Sequence, residues 1–340
     1  MSKKSSAPTM KDVAQEAGVA LGTVSKVVNG LPVGEEYKKR VEEAIHKLGY
    51  QVNSYAKGLK SSKTHTIAFL VPDTITPFFA QLTFHINQCL AQARHRMLLC
   101  ATEANAEMEQ TLVNMAEQNQ VDGIICLSYN PSLTVREGTR LITIDRHLGR
   151  GLPCVSSDNL LGGKLAVEKL AELGCRNLLY MNRISPVPGE VQKRREGFVM
   201  ECQSRGLAYT VCDLSDPVSD QEFLEYIDQH FLGSNFGFDG IFCGTDYLAC
   251  VVRNHLVKRG VKIPEDVQLI GFDGIHDYIT GDYLCSTIVQ PIQHIAQACV
   301  DLVLSEEGTA LPSLVCLPVT YAFGGTTKEE PWLPKNTNNT

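Results

Sequence analysis

Two sets of residues in this chain have types and spacings that could do chemistry. The first lies where apolar runs end: Asp73 after "TIAFLV", Asp145 and Arg146 closing "RLITIDR", Asp246 closing "DGIFCGTD" and Asp273 in "VQLIGFDG". Carboxylates accept from hydroxyl groups, a guanidinium such as Arg194 donates to ring or hydroxyl oxygens, and rings such as Phe78 and Phe79 cover an apolar face. Together they suit a hydroxyl-rich small molecule. Any one carboxylate could equally be a helix cap. Asp145 and Asp273 could also form an acid–base pair of the glycosidase kind. However, no P-loop, G-x-S-x-G or metal-ligand spacing accompanies them. Binding without turnover is expected, with no cofactor and no metal.

The second set is "VALGTVSKVVNG", residues 19–30. Val19, Val24, Val27 and Val28 have helical spacing and could bury one face. The opposite face offers Leu21, Gly22 and Lys26, although a glycine inside a helix costs about 1 kcal/mol relative to alanine. A face this small lets a backbone come close to a partner. Lys26, one turn further on, could donate to guanine O6 or N7. Thr23, Ser25 and Asn29 carry short polar groups suited to phosphate oxygens.

The elements around these residues can be read from periodicity and caps. Thr9 and Asp12 predict a capping box, followed by the stripe Met10, Val13, Ala14 and Ala17 and a stop at Gly18. The second helix ends at Asn29-Gly30. A third spans about Glu35–Leu48, with Tyr37, Val41, Ile45 and Leu48 inward and Gly49 as terminator. This is a helix-turn-helix with a bracing helix, in which the second helix enters the DNA major groove. From residue 65 onward, seven apolar runs (66–73, 97–103, 121–127, 140–146, 177–182, 239–246 and 267–274) read as buried parallel strands. Amphipathic helices lie between them, for example Leu160–Leu173, Val191–Arg205 and Asp246–Arg259. Two doubly wound α/β subdomains follow, with ligands at the C-terminal ends of their strands.

Charge and composition narrow the class. The chain carries a formal net charge of −7, but residues 1–60 hold ten Lys and Arg against six Asp and Glu. A basic head on an acidic body suits a head that touches a polyanion. The twelve cysteines form no C-x-x-C pair and sit mostly in apolar runs, as small buried hydrophobes. The nine histidines show no zinc-like spacing with them. No run is long enough to span a bilayer, and "MSKKSSAPTMKD" lacks the apolar core of a secretion signal. A cytoplasmic protein without membrane contact is expected.

"TMKDVAQEAGVALGTVSKVVNG", "VEEAIHKLGYQVNSYAKGLKSSKTHTIAFLVPD" and "PFF" together resemble the LacI/GalR (lactose/galactose repressor) family of transcription factors, from about Thr9 to Gly325. The resemblance implies a helix-turn-helix head at 8–52, a hinge at 53–64, and a periplasmic-binding-protein-like body at 65–325. The body's N-subdomain would take about 65–160 and 291–321, its C-subdomain about 161–290, with a polar tail at 326–340. Leu21, Gly22 and Lys26 become the base readers. Thr9, Thr23, Ser25, Asn29, Tyr50 and Asn53 become contacts to the DNA backbone. Ala20 stands where serine is usual, and Lys26 where arginine is usual, so the bidentate fork is lost. In "NSYAKGLKSSKT" the family's hinge helix orders on operator DNA, with Ala56 and Leu59 in the minor groove and Leu59 as the wedge.

In the body, "RREGF" matches the pattern whose first arginine contacts the effector, pointing to Arg194 with Arg195 as the alternative. Asp273 in "GFDG" matches an effector-contacting aspartate. Phe78, Phe79, Asp145, Thr245 and Asp246 complete the expected set, Thr245 replacing a common asparagine. The implied function is a sequence-specific DNA-binding regulator, expected to be a repressor, controlled by a sugar or sugar phosphate held between two lobes. Its partners would be a palindromic operator and a second copy of the chain. The end of the chain, "KEEPWLPKNTNNT", lacks leucine heptads, which favours a dimer over a tetramer. The alternatives are a global catabolite regulator using a phosphorylated carrier protein as co-effector, and a sugar-binding protein that does not bind DNA.

Overall fold

The computed structural model describes residues 8–28, 30–50, 64–149, 151–185, 187–215, 218–232, 235–306 and 308–329. The chain divides at Thr64/His65 into two compact units. Among its described residues the first holds three helices: α1 (Met10–Ala17), α2 (Leu21–Val28) and α3 (Glu35–Leu48). The Thr9 amide donates to Asp12 Oδ2 at 2.7 Å and the Asp12 amide to Thr9 Oγ1 at 3.4 Å, completing the capping box. Gly18 takes φ 62° and ends α1. Val13, Ala14, Ala17, Val24, Val41, Ala44 and Tyr50 form the core. The Arg40 guanidinium on α3 donates to the carbonyls of Ala17 (2.6 Å) and Gly18 (3.1 Å), satisfying the end of α1. Tyr37, expected inward, is 50% exposed. The inward face of α3 instead runs through Val41 and Ala44, with Ile45 and Leu48 half-buried.

The second unit contains two six-stranded sheets. In chain order its strands are β1 (Thr66–Val71), β2 (Arg96–Ala101), β3 (Gly123–Cys126), β4 (Leu141–Ile144), β5 (Cys154–Ser157), β6 (Asn177–Ile184), β7 (Ala208–Ser215), the short pair β8 (Phe231–Leu232) and β9 (Asn235–Phe236), β10 (Gly240–Cys243), β11 (Gln268–Asp273), β12 (Thr287–Val289), β13 (Leu314–Leu317) and β14 (Thr320–Ala322). The first sheet is parallel throughout, in the order β13-β5-β4-β3-β1-β2. The second runs β14-β12-β11-β10-β6-β7 and is parallel except for β14. Central strands are covered on both faces. Ile67, Phe69 and Val71 enter one core, while Ala68 and Leu70, pointing the other way, enter another. The helices are α4 (Pro77–Gln92), α5 (Ala106–Gln118), α6 (Asn159–Glu172), α7 (Lys193–Arg205), α8 (Asp220–Asp228), α9 (Asp246–Lys258) and α10 (Ile292–Leu304).

Three differences from the sequence expectation stand out. β2 is an edge strand with half its residues exposed, and β5 and β7 lie outside the seven expected runs. The chain passes from the first sheet to the second after β5, returns after β12 and leaves again after β13. β14 therefore belongs to the second sheet, and the segment of the first lobe ends at Leu317 rather than at residue 321. Residues 326–329 are not a polar tail from the start. Thr326 and Thr327 are buried, Thr326 Oγ1 donates to the Leu269 carbonyl (2.7 Å), and the Lys328 amide donates to Gln268 Oε1 (2.9 Å). Most of the expected tail, residues 330–340, lies outside the described residues.

Candidate functional site

In the head, α2 buries Val24 and half-buries Val27 and Val28, turning Leu21, Gly22 and Lys26 to solvent. Leu21 is 44% exposed despite its apolar side chain. A Cβ added at Gly22 would meet nothing within 4 Å, and the residue sits in ordinary helix. Neither space nor backbone conformation within the head calls for glycine there. Thr23 and Ser25 flank this face, half-buried. Ala20 precedes the helix at the cap position and its carbonyl accepts from Thr23 N at 2.9 Å, but alanine has no side-chain oxygen to cap the exposed amides. Two expected backbone contacts also serve the head itself. The Thr9 hydroxyl already donates to Asp12 Oδ2 (2.7 Å), and Tyr50 is 8% exposed within the head core. Asn29, Asn53, Ala56 and Leu59 lie outside the described residues.

In the body, a cavity of about 960 Å³ opens where strands of both sheets end. Phe78, Phe79, Asp145, Arg194, Thr245 and Asp273 all line it, as does Asp73. Arg194 reaches it through an unusually close helix pair. A Cβ on Gly163 of α6 would lie 2.1 Å from the Arg194 carbonyl oxygen, and one on Gly197 of α7 would lie 2.1 Å from that of Leu160. The two helices therefore touch backbone to backbone. Buried at the start of α7, Arg194 donates to Asn159 Oδ1 (2.6 Å) and the Gly244 carbonyl (2.5 Å), with its guanidinium 3.6 Å from the Phe272 ring centroid. Burial lowers its pKa, while Asp273 and Asp145 favour its charge.

Asp273 accepts from Gln290 Nε2 at 2.8 Å, and Asp145 from Ser156 Oγ at 2.5 Å. Burial pushes Asp273 well above the usual carboxylate range; Asp246 adds to this and Arg194 opposes it. Among the described residues, seven non-glycine residues have positive φ, and Glu103, Ala104, Asp145 and Asp273 line this cavity. Backbone strain of this kind concentrates at binding sites.

Asp246 does not line the cavity. It is buried, and its Oδ2 accepts from the amides of Gly274 (2.9 Å) and Ile275 (2.7 Å), while Oδ1 accepts from Thr287 Oγ1 (2.5 Å). It fixes the turn behind Asp273 instead of touching a ligand. Thr245 caps α9, accepting from Leu248 N at 3.2 Å, and Asp73 accepts from the amides of Ile75 (2.8 Å) and Thr76 (2.6 Å).

Two lining residues carry unsatisfied atoms: the strand-end Arg146, and Asp213, which the sequence reading did not name. Arg146 Nε and Asp213 Oδ1 are buried without a hydrogen-bond partner. The Arg146 guanidinium lies 5.3 Å from the Tyr129 ring centroid, and the other Asp213 oxygen accepts from Arg195 at 3.2 Å. Buried polar atoms are normally paired, so each offers a hydrogen-bonding position to a polar ligand in this cavity. Arg146 was visible in "IDR" as a polar residue at a strand end. Asp213 stands on β7, which the apolar-run reading passed over.

Comparison with known proteins places both halves of the chain. A family profile described as periplasmic binding proteins and sugar binding domain of the LacI family matches residues 64–330. Another, described as bacterial regulatory proteins of the lacI family, matches residues 9–53. The chain is 31% identical over 328 residues to a sucrose operon repressor from Pediococcus pentosaceus, covering 94% of this chain and 99% of that protein. It is 30% identical to catabolite control protein A from Priestia megaterium, again covering 94% and 99%. Its fold matches the lac repressor dimer bound to operator and the anti-inducer ONPF with a TM-score of 0.77 at 18% identity, over 95% of this chain and all of that one.

Proposed function

The chain belongs to the LacI family of bacterial regulatory proteins, and on that premise we propose that it is a transcriptional repressor whose head reads operator DNA and whose body senses a sugar. The observation that carries the DNA reading is Gly22. A glycine at a helical position where the fold leaves room for a Cβ makes physical sense when something outside the chain must come close. Leu21 and Lys26 share that face. Lys26 reads a base edge, and Thr23 and Ser25 hold phosphates. Two copies of the chain present two heads to a palindromic site.

The effector is a near-neutral, hydroxyl-rich molecule. Asp73, Glu103, Asp145, Asp213 and Asp273 meet Arg146, Arg183, Arg194 and Arg195 around the cavity, so the lining has no positive excess to hold a strongly anionic ligand. Arg183 is spent on Asp220 and the Val218 carbonyl, and Arg195 on Asp213. Phe78 and Phe79, their rings 5.8 Å apart, supply the apolar platform. Sugar closes the lobes around the three chain passages and alters operator affinity. That coupling is reciprocal and typically about 1–3 kcal/mol.

The test is a duplex-selection experiment followed by anisotropy titration, with and without sucrose, ribose and other sugars first ranked by thermal shift. One duplex family should bind far more tightly than a scrambled competitor, and a stabilising sugar should change that affinity. Lys26→Ala should weaken specific binding by about 1–3 kcal/mol. No preference for any duplex would end this reading. Similarity to catabolite control protein A favours one second reading, in which a phosphorylated carrier protein docks on the body. Operator affinity would then respond to that carrier and not to sugar alone.

A further inference from the structure

We propose that His65, His95 and Asp122 form a binding site for a divalent transition metal of the zinc class, at the N-terminal edge of the first sheet and opposite the sugar cavity. One potential ligand atom from each residue lies within 4.8 Å of the others. The sheet register makes this juxtaposition. β1 pairs in parallel with β2, Thr66 facing Arg96, and with β3, Ile67 facing Gly123. His65, His95 and Asp122 are the residues immediately before these three neighbouring strands, so all three emerge at one edge.

The donor set is specific. Two imidazole nitrogens and one carboxylate oxygen suit zinc, nickel, cobalt or copper, and supply too few oxygens for calcium or magnesium. Three protein ligands leave a fourth tetrahedral position for water. The His95 Nδ1 lies 2.8 Å from the Ala93 carbonyl oxygen. A carbonyl only accepts, so Nδ1 carries the proton and Nε2 keeps its lone pair for a metal. This arrangement, a ring N–H held by a backbone carbonyl, recurs in histidine ligands and fixes the tautomer.

The two rings, 5.1 Å apart and tilted by 56°, are not stacked flat on each other. His65 adopts φ 51°, a left-handed conformation that histidine takes more readily than most residues with a side chain. Ligand atoms around tetrahedral zinc stand roughly 3.3 Å apart, so three atoms already within 4.8 Å of one another have about 1.5 Å or less to close. His65 is also the first residue of the body after residues 53–64, and a bound metal would pin the point where that linker joins β1.

The test uses the full-length protein, stripped of metal by chelator, titrated calorimetrically with zinc chloride and spectroscopically with cobalt(II). The expected result is one equivalent bound, with cobalt showing the weak bands of nitrogen and oxygen ligation and no thiolate charge-transfer band. His65→Ala and His95→Gln should each lower affinity by about tenfold or more, while both metal-free variants melt as the parent does. Absence of binding, affinity unchanged in both variants, or a thiolate band assigning the metal to exposed Cys316 or another cysteine would each overturn the proposal.

Discussion

At Gly163, an added Cβ would lie 2.1 Å from the Arg194 carbonyl oxygen, whereas at Gly22 it would meet nothing within 4 Å. Both glycines sit in helices and both cost helix stability, yet only the body's glycine is explained by its own neighbours. The same contrast extends to the polar residues. Arg194 and Asp273 are held by Asn159, Gly244 and Gln290 before any ligand arrives, while Leu21 and Lys26 stand in solvent. The sensor is assembled in advance from within. The proposed reader is an open surface whose residues are exposed and not held by neighbours in the way the cavity residues are.

Breaking the body's close approach should have the largest effect. Gly163→Ala puts a methyl group into the α7 backbone, and urea unfolding of the body should show a loss of about 3 kcal/mol. Unchanged stability would mean that the helices can part and that the contact does not position Arg194. Next, Arg194→Lys keeps the charge but loses the fork that spans Asn159 and Gly244. Sugar affinity should fall about 10–100-fold, equivalent to roughly 1.4–2.7 kcal/mol, while operator affinity without sugar stays as it was. Equal loss of both would place Arg194 in the framework instead of the ligand site.

The third prediction concerns pH. Because burial raises the folded-state pKa of Asp273, the folded body keeps this proton at pH values where the unfolded chain has lost it. Its contribution therefore falls as pH rises from about 3.9, the ordinary aspartate value, toward the folded value. Asp273→Asn retains an Oδ1 acceptor for Gln290 and should flatten that part of the curve of unfolding midpoint against pH. A curve unchanged by the substitution would show that folding does not shift the Asp273 pKa. The smallest effect sharpens the comparison most. Gly22→Ala should stabilise the head by up to about 1 kcal/mol and weaken operator binding, a split that no internal packing role would produce.

Much of this was legible in the residues. The α1 cap, the Gly18 and Gly49 stops and the span of α3 follow from local chemistry, because a cap is made by residues a few positions apart. Strand-end polar residues pointed to the cavity because parallel strands end together. Asp246 could not be separated from Asp273 in this way. Both end apolar runs, and only the course of residues 273–275 decides that one carboxylate caps the turn carrying the other. β5, "CVSS", and β7, "AYTVCDLS", were missed because small and polar residues dilute their apolar signal. Tyr37 has helical spacing but falls in the first turn of α3, beyond the reach of α1 and α2. The His65, His95 and Asp122 cluster has no sequence spacing of its own; it is created by strand register.

The bare position on α2 has an evolutionary consequence. A methyl group at residue 22 would meet nothing inside the head, so a small side chain there leaves its packing as it is. If α2 reads the operator as proposed, substitution there would alter the DNA addressed while the cavity residues in the body stay unchanged. In this architecture genomic address and stimulus are free to diverge separately.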